Sequence, residues 1–471
     1  MHLFGRLSRS ALLADPGFGG RIYSRSVIAF ALLYGEQPDV VNDLYMTRAS
    51  HAPQERRSGR GEQGRVAPRY ELVLAGGTVL DPAQGTCAVT NVAFAGGVVA
   101  ALDPRIRPAE AVETVNCAGL IVAPGMIDLH VHVFYGVSHY GIEPDPHCVA
   151  KGVTTAVDAG SAGADTFPGF RKYVIDVAAT RLYARLNISS QGMLSAAVGE
   201  LEDLRYASVP KAVAMIEQHR DVILGVKVRL TRNQIVSLDA GMRPLYLARE
   251  AADAVRLPIM VHPQEAWCES LDDILALMRR GDILTHCFHG LSHGILDGAG
   301  RIRRSVHAAI ERGVIFDVGH GRGSFSWQVA ERAMRQGVQA QTISSDLHAY
   351  NVNGPAFDLA TTVSKFLHLG LPLGEALRKV TATPAETLGM ADRIGTLRPG
   401  AWGDAVAFEL REGAFNLEDS HGEVRVGRQR LVPRIVVRGG RVYRESASAR
   451  AARQHHHDHA DQASPPWRTG K

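Results

Sequence analysis

From Tyr70 onward the apolar residues fall into short runs rich in β-branched side chains and broken by Gly, Asp and Pro, at 71–80, 91–102 and 114–122. Such runs predict strands, here those of a small antiparallel sheet. The same texture returns beyond about Gly395, at 403–408 and 434–443. The two stretches, 70–125 and 395–444, are therefore expected to form one small β-sandwich domain. Between them, residues 126–394 alternate short apolar strands with amphipathic helical stretches, the pattern of repeated β-α units around a parallel sheet. Eight strand candidates can be counted, at 126–132, 154–161, 184–191, 223–230, 258–264, 283–289, 314–320 and 341–347. Eight predicts an α/β fold with a closed (β/α)8 barrel of the TIM type, whose active site lies at the C-terminal ends of the strands.

The two ends read differently. Residues 1–69 mix Arg, Gly, Ser and Pro without a sustained period, a composition that buries too little surface to offset the entropy of ordering. A disordered extension is expected there, and one reading is a stretch translated ahead of the true start. The tail at 445–471 is similar and holds His455, His456, His457 and His459; it is expected to be a disordered, solvated segment.

Composition narrows the class. Of 471 residues 45% are hydrophobic and 21% charged, the balance of a water-soluble globular chain. The net charge of +4 arises in residues 1–69, which hold ten Lys/Arg against six Asp/Glu and leave 42 of each sign elsewhere. The body of the protein thus has no basic footprint for nucleic acid. The longest early apolar run, Val27 to Tyr34, is far short of the ~20 residues that span a bilayer. Five scattered cysteines without C-x-x-C spacing argue for a reducing compartment. A cytoplasmic enzyme that touches neither membrane nor nucleic acid is expected.

The chemistry begins with His130 and His132. On a strand, side chains two apart leave the same face, so both imidazoles can grip one metal ion. Four further ligand-type residues lie at or near the ends of later strand candidates: Lys227 on the fourth, His262 on the fifth, His286 on the sixth and Asp346 on the eighth. All six are expected to converge on one rim. Asp128, two residues before His130, shares its face and is a candidate to orient an imidazole.

The order His-x-His, Lys, His, His, Asp resembles the amidohydrolase superfamily. The segments Asp158-Ala159-Gly160-Ser161-Ala162-Gly163 and Phe316-Asp317-Val318-Gly319-His320-Gly321, with the setting of Lys227, resemble its dihydroorotase-like amidohydrolase/deacetylase branch over roughly residues 70–440. The resemblance implies two divalent ions, with His130, His132 and Asp346 on the more buried one and His262 and His286 on the second. Lys227 would be carboxylated on its side-chain nitrogen and bridge them, since a protonated lysine cannot ligate. From the residues alone, Lys227 could instead be an inward lysine paired with Asp346 or another acid. Imidazole and carboxylate donors favour zinc, although manganese, iron and cobalt fit the same set. In such sites a metal-bridging hydroxide attacks the carbonyl, with Asp346 as acid and base.

Other candidates are less specific. Arg229, two residues after Lys227, is expected in the same lumen, where it could hold a substrate carboxylate or pair with a loop acid. Arg322 could meet an anion from the loop after strand seven, and His320 in that loop and Tyr135 behind the first ligands are candidates to line the pocket. His139, Tyr140, His147 and His348 are weaker ones. The function expected is a metal-dependent amidohydrolase/deacetylase that removes an acyl group, of acetyl size, from a small carboxylated molecule through an amide or ester bond. A cyclic-amide hydrolase of dihydroorotase type is the alternative. A catalytically silent scaffold is disfavoured because all six ligand positions are filled. The resemblance also implies a homo-oligomer.

Overall fold

The computed structural model describes residues 68–444. Extensions expected at 1–69 and 445–471 fall, except for residues 68 and 69, outside the described residues.

Strands from both ends build a first sheet: β1 (Tyr70–Asp81), β2 (Thr86–Ala95), β3 (Val98–Leu102), β4 (Ala111–Asn116) and β5 (Ile121–Pro124), joined later by β13 (Ala405–Glu418), β14 (Val424–Arg438) and β15 (Arg441–Val442). They form a single eight-stranded sheet in the order β15-β14-β13-β5-β1-β2-β3, with β4 also paired to β1. The sheet was expected to be antiparallel and is mixed, because β4 and β5 both run parallel to β1. The run 91–102 is not one strand. Gly96 and Gly97, at φ +58° and +78°, turn the chain back as a two-residue hairpin between β2 and β3, the geometry that consecutive positive φ values supply. The β13/β14 hairpin extends well beyond the two expected strands, to a tip at residues 419–423.

A second, curled sheet holds β6 (Met126–Val131), β7 (Val153–Gly163), β8 (Arg181–Asn187), β9 (Ile223–Arg229), β10 (Ile259–His262), β11 (Ile283–Leu284) and β12 (Ile315–Phe316), all parallel and in sequential order. Helices Val209–Gln218, Arg243–Val255, Leu271–Leu277 and Arg304–Arg312 alternate with its later strands. Local chemistry fixes their ends. Ser270 and Asp273 form a reciprocal capping box before Leu271, and Gly313 ends its helix at φ +89°, where only glycine is unstrained. Buried apolar residues such as Ile127, Val157, Leu186, Val226 and Ile259 make these strands nearly continuous in hydrophobicity, as a parallel sheet covered on both faces requires.

The eighth expected strand, 341–347, is not a regular one. Its backbone still bonds on both sides: Val318 and His320 donate to the carbonyls of Thr342 and Ser344 at 3.1 Å, and His132 donates to Leu347 at 2.9 Å. Regular pairing is lost where Ser344 and Ser345 turn their hydroxyls onto Asp317 and Asp128 (2.6 and 2.5 Å) and Asp346 takes φ +47°. Both sheets belong to one compact unit, and the hairpin tip reaches the loop after β12. No described helix is long and apolar enough to cross a membrane.

Candidate metal and active site

His130, on β6, and His132, just past it, present their Nε2 atoms to one oxygen, each 3.2 Å from Asp346 Oδ1. The same-face argument for the His-x-His pair therefore holds in three dimensions. Ligand atoms of these three residues all lie within 4.8 Å of one another. Lys227, on β9, brings Nζ to 3.2 Å from His130 Nε2. The imidazole of His286 packs against those of His130 and His262, with ring centres 5.0 and 4.5 Å apart. All six expected ligands line one cavity of about 950 Å³.

Each imidazole is held by one nitrogen. His130 Nδ1 meets Thr285 Oγ1 at 2.9 Å, and that hydroxyl donates to Asp317 at 2.9 Å. His132 Nδ1 meets Ser161 Oγ at 2.9 Å, and Ser161 is itself fixed by its backbone N–H to Asp158. His286 Nδ1 lies 2.7 Å from the Gly319 carbonyl, and His262 Nε2 lies 3.1 Å from Thr231 Oγ1. The opposite nitrogen of every ring is thereby left for a ligand, which is how metal-binding histidines are oriented. Burial drives the pKa of His130, His132 and His262 well below the usual imidazole range and that of His286 to about 3, so the rings are neutral donors.

The backbone contributes as well. His286 and Asp346 are not strand residues but sit at φ +61° and +47°, an uncommon region for a side-chain-bearing residue and a mark of functional constraint. Asp128 is buried near His130, as expected, but it holds backbone rather than a ring. It accepts from the N–H groups of His130 and Ser345 at 3.2 and 3.1 Å, and burial raises it to about 7. It thus ties the first ligand segment to the residue before Asp346.

Of three expected pocket residues, one lines the cavity and two do not. Arg229 lines the cavity but its charge is matched by Glu200, with which it forms a buried ion pair; Glu200 in turn accepts from Asn187 Nδ2 at 2.9 Å. Alternation brought Arg229 inward, and the acid it meets comes from a loop that strand spacing does not reach. His320 is fully buried away from the cavity, its Nε2 2.6 Å from Lys365 Nζ. Tyr135 is exposed and borders a separate groove with Tyr173 and Tyr443. A loop residue follows no period, so position near a ligand pair did not report direction for either. The walls also hold residues not singled out from sequence, among them Gln264, Thr231 and Tyr350, and residues that were only weak candidates, Tyr140 and His348. Tyr140 stacks 5.3 Å from His132 and edges onto His348 at 4.8 Å.

The donor chemistry fits divalent ions: neutral imidazoles, a carboxylate and a buried amine lining one cavity, with His130, His132 and Asp346 clustered within it. Lys227 is buried, which lowers its pKa to about 7, so a large share of the amine is uncharged near neutrality.

Comparison with known proteins agrees with the site. The model of the amidohydrolase family matches residues 121–442. A protein of Enterococcus faecalis named deacetylase is 39% identical over 328 residues, 69% of this chain and 87% of that protein. Among solved structures, one described as an adenine deaminase superposes with a TM-score of 0.73 at 35% identity, covering 80% of this chain and all of the other. One described as a dihydroorotase gives 0.72 at 31%, covering 80% and 99%. With the curled parallel sheet, the His/Asp cluster and a family match over more than half its length, this chain belongs to the amidohydrolase family and is a hydrolase.

Proposed function

We propose that the protein is a metal-dependent deacetylase that cleaves an acetyl-sized acyl group from a small carboxylated molecule, through an amide or ester bond. The observation that carries this reading is the shared focus of His130, His132 and Asp346, with Lys227 Nζ beside it and His262 and His286 on its flank. The deacetylase name of the Enterococcus faecalis relative supports the acyl group. In this reading residues 126–394 form the catalytic barrel, closed through 341–347, and 70–125 with 395–444 its companion β-domain.

His130, His132 and Asp346 would hold one ion, His262 and His286 a second, and carboxylated Lys227 would join them; zinc suits the donors. Bound there, the ions would supply a water of lowered pKa and polarise the substrate carbonyl. The uncharged Lys227 amine adds to CO₂ with loss of one proton, giving a carbamate whose two oxygens share a negative charge. Asp346 takes a proton from the attacking water at its carboxylate and delivers it to the departing nitrogen or oxygen. Its position is fixed from behind, where Asn351 Nδ2 donates to the Asp346 carbonyl at 2.7 Å. Tyr140, His132 and His348 form an aromatic wall that limits water on one side.

A cyclic-amide hydrolase is the second reading, favoured by the dihydroorotase neighbour. The deciding experiment is metal content per chain after expression with zinc and bicarbonate and removal of the His-bearing tail, followed by assay on acetylated amino and hydroxy acids and on dihydroorotate. Near two zinc with acetyl release supports the proposal. Ring opening without acetyl release moves it to the cyclic-amide reading, and no bound metal with no turnover returns the scaffold.

A further inference from the structure

The cavity is bordered by two arginines with different fates. Arg229 is buried and neutralised by Glu200. Arg322 is exposed to the cavity and has neither a hydrogen bond nor an ion pair among the described residues. It stands in the loop after β12, between Gly321 and Gly323, and that loop is anchored at its base. Lys365 Nζ, from the helix Leu359–His368, donates to His320 Nε2 at 2.6 Å, to the Pro355 carbonyl at 2.8 Å and to the Glu418 carbonyl at 2.7 Å. Three acceptors satisfy all three ammonium protons. Ser420, at the hairpin tip, donates to the His320 carbonyl at 3.2 Å. Arg322 is thus a long, unpaired cation on a fixed mount.

The mount stands against the reacting centre. Gly321 lies so near Asp346 that a Cβ there would be 2.5 Å from Oδ2. The next residue along the chain, Arg322, lines the same cavity as Asp346. Glu265 borders the same cavity and repels a second acid group, while Ala196, Ala197 and Leu291 supply apolar wall.

We infer that Arg322 receives the carboxylate of the substrate. A planar guanidinium and a carboxylate match as a bidentate pair, and a short link between carboxylate and scissile carbonyl places the latter beside Asp346. This inference rests on the deacetylase reading and adds the group that selects the substrate.

The test compares matched pairs on the zinc-loaded full chain: N-acetylated apolar amino acids with a free carboxylate, and the same compounds as primary amides. Wild type should favour the acid by about a hundredfold in kcat/KM, mainly through KM, the scale of a charge-assisted bidentate contact. In Arg322→Met that ratio should collapse toward one, and Arg322→Lys should recover part of it. A ratio that survives in Arg322→Met overturns the assignment. Saturation-transfer NMR on metal-free protein gives an independent readout, with N-acetylalanine and its amide as probes. The acid should bind better than the amide in wild type and lose that advantage in Arg322→Met; no such difference overturns the inference. Failure of wild type to cleave any acid or amide, with the binding difference intact, would instead fault the deacetylase reading.

Discussion

Gly160 and Lys227 meet without room for a side chain between them: a Cβ on Gly160 would lie 2.6 Å from Lys227 Cγ and 2.7 Å from its Cβ. Gly160 stands at φ +89°, and its carbonyl accepts from Asn187 Nδ2 at 3.0 Å, so the backbone cannot retreat freely. The stem of Lys227 fills the space that a side chain at 160 would take. Gly160→Ala should cost about 1–2 kcal/mol from the left-handed backbone alone and should also displace Nζ. Bound metal per chain should fall, and urea unfolding of the metal-free protein should show the backbone cost separately. Full metal occupancy in a correctly folded variant would mean that Lys227 needs no such support.

Among the described residues Asp346 is the one carboxylate grouped with the His130 and His132 rings, with Oδ1 equidistant from their Nε2 atoms. Asp346→Asn keeps the shape and removes the capacity to accept and return a proton. Turnover should drop at least about a hundredfold, as expected for a positioned acid–base group. Steady-state kinetics on the best substrate checks this, with metal analysis on the same sample. Retained turnover would remove Asp346 from proton transfer.

Lys227→Ala deletes the buried amine that would become the joining ligand. At least one metal position should empty, and activity should return in part when a small carboxylic acid is added to fill the gap left by the carbamate. Unchanged metal content would show that the histidines and Asp346 suffice, and would sink the carboxylated lysine.

Lys365 tests whether the β13/β14 hairpin and the loop after β12 are held as one. Replacing it with Met leaves the buried His320 Nε2 and two part-buried carbonyls without their donor. A loss of about 3 kcal/mol or more in unfolding free energy is expected from these unmet acceptors. A urea midpoint equal to wild type would mean that the three segments are pinned by their backbone bonds instead.

What could be read from the sequence, and what could not, follows from how each residue is placed. His130, His132, Lys227 and His262 lie on or beside regular strands, where period two fixes direction, so their convergence was legible. His286 and Asp346, expected on or at the ends of strand candidates, instead reach the same cavity through positive φ values, which no period encodes. Four strands of the curled sheet have at least six residues and stand out as apolar runs, whereas β11 and β12 have two each and 341–347 spends its serines on Asp128 and Asp317 instead of on a ladder. The partners of Arg229 and His320 were hidden because Glu200 and Lys365 come from a loop and a helix 29 and 45 residues away in sequence. Only the tertiary fold brings such charges together.

His289 offers a test of burial through pH. It is nearly inaccessible, its Nδ1 accepts from the Leu291 N–H at 3.2 Å, and burial lowers its pKa to about 4. An unfolded histidine titrates near 6.5. Between these values the unfolded chain binds the proton and the folded one does not, so stability is full above pH ~6.5 and declines as pH falls toward 4. The buried histidines of the metal site add to the same trend in metal-free protein. His289→Gln keeps an acceptor for Leu291 but removes the titration. Wild-type stability should therefore fall by about 2 kcal/mol more than that of His289→Gln between pH 7 and pH 5, at 1.36 kcal/mol per unit below 6.5. Urea unfolding of chelator-treated protein at the two pH values measures the difference. Equal losses would show that the His289 ring takes up its proton in the folded state and is not enclosed.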